Sequence, residues 1–83
     1  MAQLDTSDRA KLRDRDYAYV DKDGERKLPI NDEEHVRNAI SRFGQTEFDS
    51  AAAKARAARK VLAAAHRHGI EVDEDDDVRR ATR

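Results

Sequence analysis

Residues 28–48, LPINDEEHVRNAISRFGQTEF, constrain this chain more than any other stretch, because they hold a helix together with its start and its stop. Pro29 has no amide hydrogen to give a strand ladder, so a strand reaching it ends there or runs along a sheet edge. Asn31 or Asp32 then offers a side-chain oxygen to the first free amides of a helix. With Asn31 as the cap, Glu34 three residues on completes a capping-box pair. Asp32, Glu33 and Glu34 put negative charge at the positive end of the helix dipole. Val36, Ala39, Ile40 and Phe43 share one stripe, Ile30 can staple the first turn, and Gly44 supplies a stop. The pattern predicts a helix over about residues 32–43.

A second helix follows over about residues 50–68, starting at Asp49 or Ser50. Half of residues 51–68 are alanine, the strongest helix former. Ala51, Ala55, Ala58, Leu62 and Ala65 recur at four-three spacing and predict a smooth packing face. Arg67 and His68 suit the negative end of the dipole, and Gly69 with Ile70 forms the expected stop.

Upstream, Tyr17-Ala18-Tyr19-Val20 favours a strand, with Tyr17 and Tyr19 on one face. Asp23-Gly24 signals a hairpin turn, and Glu25 to Ile30 reads as the return strand with Leu28 and Ile30 sharing a face. Ile70-Glu71-Val72 offers a short third strand beside the hairpin. The expected fold is α+β: a small hairpin-containing sheet over about 17–30, with 70–72 as a possible addition, packed on two helices between disordered termini. The expected organisation is a flexible arm over 1–14, one compact module over 15–73 and a disordered acidic and polar tail over 74–83.

Composition narrows the function classes. The 83 residues are 37% hydrophobic and 42% charged, so the core is modest. A chain of this length buries roughly 60% of its unfolded surface, and self-association or a partner would add to its stability. The absence of cysteine excludes disulfides, zinc thiolates and thiol nucleophiles together. No stretch has the apolar length of a membrane span and the N-terminus lacks the apolar core of a secretory signal, so the expected location is cytoplasmic.

The order of these segments resembles a family: an aromatic-Ala-Tyr-Val strand, a turn, Leu-Pro-Ile-Asn-Asp, His-Val-Arg-Asn-Ala-Ile-Ser-Arg-Phe, an Ala/Lys/Arg-rich helix and a closing His-Gly-Ile-Glu-Val. It is similar to a small domain of unknown function seen in bacterial, often actinobacterial, proteins and in tailed-phage or prophage proteins. The likeness spans about residues 15–73. It implies a compact accessory module of phage ancestry and brings no established activity. Pro29, Asp32, His35, Arg37, Asn38 and Ala39 mark the signature and no catalytic role.

The residues themselves offer little chemistry. His66 and His68 are two apart and point to different faces of a helix, so they make poor joint metal ligands. Asp21, Asp23 and Glu25 superficially resemble a calcium loop, but the spacing of the glycine and the missing distal glutamate favour a turn. Ser7, Ser41 and Ser50 lack a nucleophile-elbow setting, and three scattered glycines cradle no phosphate. The expectation is a non-enzymatic protein without cofactor or metal.

Charge is the remaining signal. The net charge of −1 conceals Lys54, Arg56, Arg59, Lys60 and Arg67 along the second helix, with Arg37 and Arg42 on the first. Glu71, Asp73, Glu74, Asp75, Asp76 and Asp77 follow at once. A protein-interaction or structural accessory role is the first reading, with an unidentified protein partner or a second copy as the contact. Nucleic-acid binding through Arg37, Lys54, Arg56, Arg59, Lys60 and Arg67 is the alternative, against which a simply solvated face weighs more. The acidic segment, residues 71–77, can fold back on the basic helix and screen it, although a solubilising tail with no structural role is the first expectation.

Overall fold

The computed structural model describes residues 14–82. The expected N-terminal arm falls almost entirely outside the described residues. A 3₁₀ turn (Asp14–Asp16) leads into β1 (Tyr17–Val20), which pairs antiparallel with β2 (Arg26–Pro29). Then come α1 (Glu33–Arg42), a second 3₁₀ turn (Phe43–Gln45), α2 (Ala51–Arg67) and a short α3 (Asp77–Arg80). This is the expected α+β arrangement of a hairpin on helices.

Asp21 builds the hairpin turn. Its Oδ1 accepts from the amides of Asp23 at 2.9 Å and Glu25 at 2.8 Å, and Gly24 adopts φ +82° while donating to the Asp21 carbonyl. These bonds leave Asp21 serving the turn. The register sets Tyr17 against Pro29, Tyr19 against Lys27 and Val20 against Arg26. Leu28 lies within it at φ +58°, a left-handed conformation that costs a residue bearing a Cβ roughly 1–2 kcal/mol. Simple alternation is lost on β1, where the neighbours Ala18 and Tyr19 are both buried, whereas Leu28 and Ile30, two apart, are both buried as expected. Tyr17, expected on the face of Tyr19, is only half-buried, with the Arg26 guanidinium 5.8 Å from its ring centre.

α1 is capped by Asp32, which resolves the choice between Asn31 and Asp32. Its side chain accepts from the His35 amide at 2.8 Å, and the Asn31–Glu34 capping box is not used. The helix ends near Gly44 as expected, but not through a left-handed glycine. It tightens into the 3₁₀ turn, with the Thr46 hydroxyl donating to the Arg42 carbonyl at 2.9 Å. The Asp77 carboxylate lies where a Cβ at Gly44 would stand, and this exposed side chain would have to turn aside for any larger residue.

α2 starts at Ser50, whose hydroxyl accepts from the Ala53 amide at 3.1 Å. It stops as the sequence predicts. Gly69 at φ +68° donates to the His66 carbonyl, and Ile70 donates to that of Ala65 at 2.8 Å, the paired bonds of a Schellman end.

The packing face of α2 differs from the expected one. Ala53, Ala57, Ala58, Val61, Ala64 and Ala65 are buried, whereas Ala51 is exposed and Ala55 and Leu62 are half-buried. The face is turned by about a quarter of the helix circumference, at about 100° per residue. Alanines occur nearly all round this helix, so their spacing alone could not locate the face; the fully buried Val61 marks its centre.

Among the described residues, seven of the fourteen buried hydrophobic ones are alanine, so the elements approach closely but bury little apolar area per residue. Phe43, Val36, Val61 and Val78 are the largest fully buried side chains. Phe48 joins them at the edge, its ring centre 5.1 Å from that of Phe43 and 4.8 Å from that of Tyr19.

Two expectations are corrected at the C-terminal end. Residues 70–72 form no strand, and the sheet has two strands among the described residues. Their polar groups are already engaged: the Ile70 amide with Ala65, and the Val72 carbonyl with Arg79 Nε at 3.3 Å. The tail expected to be disordered from residue 74 turns into α3, capped by Asp76 and anchored by Val78 with no exposed surface. One well-placed valine among acids outweighs the polar composition that predicted disorder.

Candidate functional site

The cations of α2 do not act as one surface. At about 100° per residue, Arg56, Lys60 and Arg67 fall within about 40° of one another, whereas Lys54 lies about 160° from Arg56. Arg59 lies about 60° from Arg56, on the outward side of this row. All five are exposed, and none is paired with a carboxylate among the described residues. Arg37 stands apart on α1, where Glu33 takes its guanidinium at 2.9 Å. The structure thus gathers Arg56, Lys60 and Arg67 out of the six predicted contact residues.

Arg56 and Lys60 also border a groove that sequence reasoning missed. It runs between β1 and α2, encloses about 270 Å³ and is lined by Ala18, Tyr19, Val20, Ala53, Arg56, Ala57 and Lys60. Alanines at 18, 53 and 57 let the strand and helix meet over an apolar floor, and the two cations stand along the helix side. The signal in the sequence was the recurrence Ala53-x-x-Arg56-Ala57-x-x-Lys60, small and basic residues alternating along one flank.

The hairpin side of the groove is held by Asp49. Its Oδ2 accepts from the Lys22 amide at 2.8 Å, and its own amide donates to the Tyr19 hydroxyl at 2.8 Å. The Lys22 amide, and then the Tyr19 hydroxyl, hold the Asp49 carboxyl below its ordinary value. Burial pushes the Tyr19 hydroxyl above its own. Tyr19 is therefore a neutral fixed wall at neutral pH.

The acidic segment lies on the other flank of α2. Leu62, Ala65 and His66 face Ile70, Glu71, Val72 and Arg79 around a shallow hollow of about 300 Å³. The tail folds back on the basic helix, where a solubilising tail without structural role was the first expectation, and it does so through Val78 and Ala81 rather than through charge. No acid of this segment pairs with the α2 cations among the described residues. Screening of the basic row by the chain's own tail is thereby corrected.

A smaller cleft of about 200 Å³ lies between β2 and α1 and is lined by Leu28, Pro29, His35, Asn38, Ala39 and Arg42. Pro29, His35, Asn38 and Ala39 of the signature thus meet in one place. His35 Nδ1 lies 2.7 Å from Asp32 Oδ1. The His35 amide, above all, holds the Asp32 carboxyl below its ordinary range. This pair secures the helix start. Among the described residues no three metal-ligating side chains converge, and no helix is long and apolar enough to cross a membrane.

The model of a family of unknown function, DUF6582, matches residues 3–75, and the chain belongs to that family. The match covers the hairpin, α1 and α2 and stops short of α3. No curated protein and no solved structure matches the chain.

Proposed function

We propose that this protein is a small non-enzymatic interaction module that takes an acidic segment of a partner protein into the groove between β1 and α2. The observation that carries the reading is the groove's composition, with Arg56 and Lys60 beside an alanine floor and, among the described residues, no carboxylate lining it. Cations without local partners, next to apolar surface, favour a ligand that brings both carboxylates and apolar side chains. A phage-related assembly inside a bacterial cytoplasm, the setting the resemblance implies, has use for an accessory contact of this kind.

Nucleic-acid binding is the second reading, favoured by the alignment of Arg56, Lys60 and Arg67 over roughly 16 Å of helix. It ranks lower because the groove offers no ring for stacking: Tyr19 is buried and Tyr17 is covered by Arg26.

The two readings separate in one titration. A fluorescent peptide alternating acidic and apolar residues, random duplex DNA and single-stranded DNA are each titrated with the chain and with its Arg56→Gln/Lys60→Gln variant. Peptide binding that the variant loses is the expected result. Binding of DNA alone, falling steeply with salt, would replace the first reading with the second. If nothing binds at low salt, both readings fall.

A further inference from the structure

We infer that the groove is filled by the acidic loop of a second copy of this chain, so that molecules associate head to tail. The inference rests on the reading of the groove given above and names its occupant. Between Val72 and Val78 the chain forms a loop fixed at both ends. Val78 is fully buried, Val72 is half-buried, the Asp76 amide donates to the Asp73 carbonyl at 3.1 Å, and Arg79 Nε donates to the Val72 carbonyl. Glu71, Asp73 and Asp75 are exposed on it. An acidic ligand already ordered by its own fold loses less conformational entropy on docking than a free peptide does. The groove presents the complementary charge at Arg56 and Lys60.

Position decides between self and neighbour. The loop packs beside Leu62, Ala65 and His66, whereas the groove lies beside Ala53, Arg56, Ala57 and Lys60, on the opposite flank of α2. The body of the helix, about 10–12 Å across, separates the loop from its own molecule's groove. A neighbour's loop is not tied to that flank. Because donor and acceptor surfaces face different ways, one contact leaves a free loop at one end and a free groove at the other, a heterologous arrangement that propagates. With a net charge of −1, whole molecules repel each other little.

The test is sedimentation velocity of the full chain at roughly 0.01 M salt, where charges act over about 30 Å, and at roughly 1 M, where they act over about 3 Å. The expected average mass rises with protein concentration at low salt and returns to that of the monomer at high salt. Arg56→Gln/Lys60→Gln and Glu71→Gln/Asp73→Asn/Asp75→Asn each stay monomeric, with circular dichroism unchanged. Mixed together, they form a 1:1 dimer and nothing larger, since only one intact loop and one intact groove can meet in each pair. A wild-type chain that is monomeric at low salt overturns the inference. So does association that survives either set of substitutions, or a mixture that stays monomeric. Peptide binding without self-association leaves the groove reading standing and removes only its proposed occupant.

Discussion

On one flank of α2 the hairpin is held by aromatic rings and a bracket of hydrogen bonds; on the other, α3 is held chiefly by the buried Val78, with Ala81 and an Arg79–Val72 hydrogen bond beside it. The first attachment joins Tyr19, Phe48 and Asp49, and the bracket is strongest with Asp49 ionised. The second rests on Val78, with Ala81 packed beside it. Rings and directed bonds fix orientation as well as distance, which suits a groove wall. A lone buried methyl pair fixes distance and releases the segment more readily.

The comparison breaks most severely if both attachments fail together. Phe43 is fully buried where α1 turns toward both of them, and Phe43→Ala should cost about 3–5 kcal/mol. At roughly 0.05–0.15 kcal/mol per residue, that is a large part of the whole stability of so short a chain. Urea unfolding should show a collapse of the midpoint; a loss confined to α3 would mean that Phe43 serves only the tail.

Val78→Ala should remove about 1.5–2.5 kcal/mol, from two buried methyl groups and the space they leave. The effect should be local, with hydrogen exchange accelerating at residues 78–82 while the amides of α1 and β1 keep their protection. Equal loss in the hairpin would show that the two attachments are a single cooperative unit.

Tyr19→Phe should cost about 0.5–1.5 kcal/mol, because the part-buried Asp49 amide loses its acceptor while the ring contact with Phe48 remains. The urea midpoint should fall while exchange in α3 is unchanged.

The smallest effect is the dependence on acid. Asp49 and Asp32 both have folded-state values below the ordinary 3.8, so their contribution is complete above about pH 3.8 and is lost as pH falls through the lower folded values. Asp49→Asn should flatten the fall in stability below that pH, and Asp32→Asn should do so while still capping α1. An unchanged slope in both variants would show that these bonds are not coupled to folding.

The elements that sequence predicted well are those whose determinants are local. Asp23-Gly24, Asp32, Ser50 and Gly69-Ile70 each satisfy backbone groups within a few residues, so the hairpin turn, both helix starts and the end of α2 could be read directly. The candidate site was legible only as a list of cations. Which of them share a flank follows from helical spacing, but the groove beside Arg56 and Lys60 needs β1, some forty residues earlier in the chain, to supply its other wall. The acid run was visible too, yet its placement was not, since polar composition hid the one residue that anchors it.

By itself, then, the sequence determined where α1 and α2 begin and end, that a hairpin precedes them and that charge is divided between a basic helix and an acidic segment. These follow from capping, propensity and composition, which act over one or two turns of chain. Tertiary structure alone decided which side of the alanine-rich helix is buried, that Leu28 leaves the pleat, and that α3 lies on the flank of α2 opposite the groove. Those outcomes depend on shape complementarity among distant segments, and a helix with alanine on nearly every side leaves that choice to whatever packs against it.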